Sequence, residues 1–134
     1  MSKTYKKHLE TTPNFKPIVY ICAPYRGDKE KNVQHAIRCA AYAYSRGAIP
    51  ITPHLLFPFM NDENQKHRGD AMFMDVILLG KCNELWVFGE KITGGMQVEI
   101  NLAEKRRQPI KYFTDKDLGL SLIHISEPTR RTPI

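Results

Sequence analysis

Apolar and polar positions alternate in blocks along this chain rather than residue by residue. Ile18-Val19-Tyr20-Ile21-Cys22-Ala23 is a short apolar run opened by Pro17 and stopped by Pro24. Its β-branched and aromatic content predicts a buried first strand. After the loop Tyr25-Arg26-Gly27-Asp28, the pattern predicts a helix from about Lys29 to Arg46. Val33, Ala36, Ile37, Ala40, Ala41 and Tyr44 stand there at helical spacing, and Gly47 acts as a C-cap. Ala48 to Thr52, cut off by Pro53, reads as a second strand, and His54 to Gln65 is a long loop rich in Pro, Asn and Asp. A helix over Lys66 to Cys82, a strand over Glu84 to Phe88, a helix over Met96 to Arg107 and a strand over Pro109 to Phe113 complete the pattern.

Strands and helices therefore alternate four times, which requires parallel strands joined by right-handed helical crossovers. The expected fold is an α/β, three-layer, doubly wound parallel sheet of flavodoxin or Rossmann type, about four strands in the order 2-1-3-4. Such sheets bind ligands beyond the carboxyl ends of their strands, where the order reverses. The loops after Cys22, Thr52 and Phe88 converge at that point.

A length of 134 residues suits one domain. The expected organisation is a basic leader over 1–16, the α/β domain over 17–119 and a tail over 120–134. Leu120 to Arg130 read LSLIHISEPTR, which resembles one translated frame of a sequencing adapter. The tail is expected not to be native and carries no part of the reading. The leader lacks an apolar stretch of the secretory kind, and no apolar run approaches the roughly 20 residues of a membrane span.

The three cysteines, Cys22, Cys39 and Cys82, are far apart and without metal spacing, as suits buried reduced thiols in a cytoplasmic protein. The net charge of +6 gathers in Lys3, Lys6, Lys7 and in Lys105, Arg106, Arg107. The second group complements a helix dipole. With no aromatic stripe interleaved, the basic residues read as solvated charge rather than as a nucleic-acid surface. No metal-ligand cluster, dinucleotide fingerprint or serine nucleophile elbow stands in the sequence, and no metal or cofactor is implied.

Two carboxylates remain. Glu99, placed in the first turn of the third helix after Gly94-Gly95, is either a charge complementing the dipole or a nucleophile kept ionised by it. The glycines would admit a ligand or take positive φ. Asp75 shares a helix face with Met72 and Leu79. It is either a half-exposed edge residue or a partly desolvated acid fit to donate a proton. Arg26 and Gly27 follow the first strand, where a guanidinium and backbone amides suit a phosphate. His54 follows the second strand, where a loop histidine with a backbone partner is the commoner case.

The ordered set Tyr20-Ile-Cys-Ala-Pro-Tyr-Arg-Gly27, Ile49-Pro-Ile-Thr-Pro-His54, Asp75, Cys82-Asn-Glu-Leu-Trp-Val-Phe-Gly89 and Thr93-Gly-Gly-Met-Gln-Val-Glu99 resembles the nucleoside 2-deoxyribosyltransferase superfamily. The likeness runs from about Ile18 to Phe113 and is nearest to small bacterial and phage members. It implies cleavage or transfer of an N-glycosidic bond in a nucleoside or nucleoside 5′-monophosphate. Glu99 would be the nucleophile, Asp75 the acid or sugar anchor, and Tyr20 a neighbour of the nucleophile. The 2′-deoxynucleoside 5′-phosphate N-hydrolase branch implies that Arg26, Gly27, Thr93 and Gly95 surround a 5′-phosphate. Ala23, Pro24, His54 and Met96 complete the implied substrate contacts. The resemblance also implies a homo-oligomer, a dimer or larger. Thr93, Asn83 and Gln97 depart from the family's usual residues, and a nucleotide-binding or sensing module without turnover is the alternative.

Overall fold

The computed structural model describes residues 15–25 and 27–119. Its elements are β1 (Ile18–Cys22), α1 (Lys29–Ser45), β2 (Ile49–Ile51), a 3-10 turn (Pro53–Leu55), α2 (Gln65–Lys81), β3 (Glu84–Phe88), α3 (Gly94–Lys105) and β4 (Ile110–Phe113). A last helical turn follows over 115–119. All strand pairs are parallel, and the sheet order is β2-β1-β3-β4. The expected doubly wound α/β fold is the observed one.

Both faces of this sheet are covered, which is why β1 and β3 are apolar at nearly every position. The pleat sends Val19, Ile21, Trp86 and Phe88 to one side, where they pack with Cys39, Tyr42 and Ala43 of α1 and with Leu118. It sends Tyr20, Cys22, Leu85 and Val87 to the other, against Leu79 of α2 and Met96, Ile100 and Ala103 of α3. Pro50 is tolerated in β2 because that strand lies at the sheet edge.

The buried stripe of α1 differs from the expected one. Ala36, Cys39, Tyr42 and Ala43 are buried, whereas Ile37 is 44% and Tyr44 74% exposed. Tyr42 decides the helix rotation. Its ring stands edge-on to Phe113 at 5.2 Å and to Phe88 at 6.1 Å, a large aromatic contact that Tyr44 on the opposite side does not make. Asp28 caps α1 by accepting from the Lys31 amide at 3.1 Å. Gly47 ends it with φ 86°, the left-handed conformation glycine takes without strain.

At the amino end of the sheet, Asn83 clamps β1. Its Oδ1 accepts from the Ile18 amide and its own amide donates to the Ile18 carbonyl, both at 2.7 Å. Gln108 closes α2 by donating from Nε2 to the carbonyls of Leu79 and Cys82, each at 2.9 Å. Arg106, at the end of α3, donates to the Val76 carbonyl at 3.3 Å, so part of the basic cluster braces α3 against α2. Among the described residues no helix is long and apolar enough to cross a membrane.

Candidate active site

A cleft of about 560 Å³ opens at the carboxyl end of the sheet. The segment after β1 contributes Ala23 and Tyr25, and the segment after β2 contributes Pro53, His54, Phe57 and Asp62. Thr93 to Met96 and Glu99 enter from the start of α3, and His67, Arg68, Met72 and Asp75 from α2. The volume is of the size that holds a small organic ligand. Three connections expected to converge at the switch point between β1 and β3 do line one cleft.

Glu99 projects from α3 toward β1, where the Tyr20 hydroxyl donates a hydrogen bond to its Oε2. The bond follows from the pleat. Tyr20 is fully buried on the α3 side of the sheet and cannot face solvent, so its hydroxyl needs an internal acceptor. The helix begins two residues earlier than expected, at Gly94, with Thr93 as N-cap accepting from the Met96 amide at 3.3 Å. Glu99 therefore stands in the second turn, and no acidic residue occupies the first. The helix dipole acts mainly on the terminal turn, so burial governs the carboxyl instead. Burial raises its pKa above the usual carboxylate range, opposed by the hydrogen bond from Tyr20. Gly94 and Gly95 do not take positive φ, and a side-chain carbon on either would meet nothing within 4 Å.

Asp75 faces the same cleft from α2. Burial, with the Glu99 charge second, pushes its carboxyl up to about 7. Its Oδ1 is buried without a hydrogen-bond partner. The Glu99 charge thus opposes ionisation of Asp75, which holds its proton more readily when Glu99 is charged.

His54 is fixed by its ring. Nε2 donates to the Pro24 carbonyl at 2.8 Å, and Tyr25 stands edge-on at 4.8 Å. Burial lowers its pKa, so the ring is neutral, with Nδ1 buried and without a hydrogen-bond partner. Pro24 therefore acts through its carbonyl on His54. Tyr25 also donates to Asp62 Oδ1 at 2.8 Å, and Lys29 pairs with Asp62 at 3.0 Å, which ties the segments after β1 and β2 together.

Of the residues singled out in sequence, Glu99, Asp75, Ala23, His54, Thr93, Gly95 and Met96 line the cleft, and Tyr20 reaches it through Glu99. Gly27 is exposed with φ 108° and does not line it. Arg26 lies outside the described residues, as does the segment 120–134. Asn83 belongs to the opposite end of the sheet. Gln97 bonds Asn101 at 2.8 Å on an exposed stretch of α3. Tyr25, Phe57, Asp62, His67 and Arg68 were not anticipated as lining residues. The signal for four of them was the long polar segment after β2, which runs on into α2. Among the described residues no group of three or more His, Cys, Asp or Glu is placed to hold a metal ion.

Residues 17–113 match a family described as a domain of unknown function, DUF7768. The chain belongs to that family. No curated protein matches it. Among solved structures it is similar to a 2-deoxyribosyltransferase from the psychrotolerant bacterium Bacillus psychrosaccharolyticus, with a TM-score of 0.60 and 13% identity over 72% of each chain. At that identity the likeness defines a shared fold.

Proposed function

We propose that the protein cleaves or transfers the N-glycosidic bond of a nucleoside or nucleoside 5′-monophosphate. The observation that carries this reading is the meeting of Glu99 and Asp75 over one cleft, the first bonded by Tyr20 and the second pushed up to about 7. The fold shared with a 2-deoxyribosyltransferase supports the same reading.

In this mechanism a Glu99 oxygen attacks C1′ of the sugar. The C1′–N bond breaks, its electron pair stays with the base, and Asp75 supplies the base with a proton. The product of the first step is a glycosyl ester on Glu99. Water, or the nitrogen of a second base, then attacks C1′, gives its proton to Asp75 and releases the Glu99 carboxylate. This is the retaining two-carboxyl scheme. It needs Glu99 charged while Asp75 is protonated. Thr93 and Gly95, with Arg26, would lie against a 5′-phosphate. The buried Nδ1 of His54 and Oδ1 of Asp75 would accept from ligand hydroxyl or amino groups, because leaving both unpaired costs free energy.

The rival reading, a binding module without turnover, has one observation in its favour. Burial draws Glu99 toward its neutral form, which does not attack. Incubation with a panel of deoxynucleosides, ribonucleosides and their monophosphates, followed by chromatography, separates the two. Release of free base that Glu99→Ala abolishes supports the enzyme. Saturable binding with no free base from any member of the panel supports the module.

A further inference from the structure

The cleft is lined differently along its two helices. At the start of α3 it presents Thr93, Gly94 and Gly95, a hydroxyl and bare backbone. Along α2 it presents Arg68, Ala71, Met72 and Asp75, faced by Phe57 and Met60 from the segment after β2. Arg68, Met72 and Asp75 stand at the four- and three-residue spacing of one helix face. Arg68 and Asp75 are thus two turns apart, roughly 10 Å along the axis.

Two donors at the Arg68 end lack an acceptor. Among the described residues none bonds or pairs with the Arg68 guanidinium, although it lines the cleft. The nearby carboxylates are engaged elsewhere: Asp62 by Tyr25 at 2.8 Å and Lys29 at 3.0 Å, and Asp70 by Lys66 at 2.9 Å. His67 accepts at Nδ1 from the Asn61 amide at 2.9 Å, so the neutral ring carries its proton on Nε2. Both side chains therefore offer hydrogens and no lone pair to a ligand. We propose that this end of the cleft takes the far edge of a nucleobase and selects a carbonyl oxygen there, with Arg68 as the specificity-determining residue. The favoured bases are those with the 6-oxo group of guanine and hypoxanthine or the 4-oxo group of uracil and thymine. The 6-amino group of adenine and the 4-amino group of cytosine are disfavoured. The inference rests on the reading of Asp75 as the group that gives the departing base its proton.

With Asp75 at one side of the base, the distance to Arg68 is the span of a base with a hydrogen bond at each end. Ala71, Met72 and Phe57 lie along that span and give the ring faces apolar contact. A phosphate has no apolar face to set against them. The carbonyl also takes part in the chemistry. When the C1′–N bond breaks, the electron pair left on the base delocalises onto that oxygen, where a guanidinium stabilises it. An amino group in its place points hydrogens at hydrogens and leaves both donors unpaired.

The test is equilibrium binding of matched pairs, measured by calorimetry. Hypoxanthine is compared with adenine, and uracil with cytosine, on the wild type. The corresponding 2′-deoxynucleosides are compared on Glu99→Ala, which cannot form the glycosyl ester. The oxo member of each pair should bind about 5- to 150-fold tighter, the scale of one good contact to a base edge. Arg68→Met should bring the members of a pair close to equal affinity. Arg68→Glu, which accepts instead of donating, should favour the amino members.

Equal affinities within each pair on the wild type overturn the proposal, and that measurement needs no variant to fold. So does an Arg68→Met loss that falls on monophosphates over nucleosides while the oxo-to-amino ratio stays unchanged, which would assign the guanidinium to a phosphate. An oxo preference in a protein that releases no base would leave this inference standing while the enzyme reading falls. Base release without the preference would do the reverse, and binding of no member of any pair would overturn both.

Discussion

Tyr20 and Glu99 are 79 residues apart in the chain, and the hydroxyl of the first donates to Oε2 of the second. The bond ties the central strand β1 to the second turn of α3 and fixes where the carboxyl points. Without it, a buried carboxyl would keep one donor fewer and lie closer to its neutral form.

Replacing Tyr20 by Phe removes that donor while keeping the ring. A hydrogen bond to a charged group is worth about 1.5–3 kcal/mol, so turnover should fall about 10- to 100-fold. Substrate affinity should change little, because the Tyr20 hydroxyl does not line the cleft. Steady-state rates of base release, separated into kcat and KM, check this. An unchanged kcat would mean that the bond is structural only.

Asp75 gives the protein a particular pH dependence. Its folded pKa is raised from an ordinary value of 3.8 to about 7. The folded state therefore binds the proton more tightly than the unfolded one. The stability so gained is fully present below the unfolded pKa and is lost as pH rises through about 7. Glu99, also raised, acts with the same sign. Urea unfolding at about pH 4.5 and about pH 8 should show a drop in the wild type that is smaller in Asp75→Asn, which has no carboxyl to desolvate there. An equal drop in both proteins would show that Asp75 is solvated.

Asn83 offers a contrast at the far end of the sheet. Asn83→Ala deletes the acceptor of the Ile18 amide and should cost about 1–2 kcal/mol in urea unfolding. Base release per folded molecule should be unchanged. A loss of activity without a loss of stability would place Asn83 in the chemistry after all.

Thr93 should serve two ends. Thr93→Ala removes the N-cap of α3 and should lower stability by about 1 kcal/mol. If the cleft takes a 5′-phosphate beside Thr93, the variant should also raise KM for monophosphates more than for the corresponding nucleosides. Equal KM changes for both would remove Thr93 from a phosphate site.

Much of this architecture was legible in the chain because covered parallel strands carry a strong signal. The runs at Ile18–Cys22 and Glu84–Phe88 are apolar on both faces, and Pro17, Pro24 and the glycines mark where they stop. The rotation of α1 was less legible. With Ala36, Ala40, Ala41 and Ala43 spread around the helix, small residues leave several faces permissible, and the distant rings of Phe88 and Phe113 select Tyr42 over Tyr44. The acidic pair stood out as Asp75 in an apolar stripe and Glu99 after two glycines. The family resemblance set Tyr20 beside Glu99, and that its hydroxyl donates to the carboxyl follows from the sheet pleat joined to the position of α3. The start of α3 at Gly94 was missed because two glycines read as a loop, whereas the Thr93 cap recruits them into the helix.

The measurement that bears most directly on the account is intact and peptide mass spectrometry of the protein quenched during turnover of a nucleoside or monophosphate from which it releases base. A mass increase equal to the sugar moiety, located on the peptide at Glu99 and missing from Glu99→Gln, is the expected result. Base release that persists in Glu99→Gln with no adduct at any time, or an adduct carried by another residue, would contradict it.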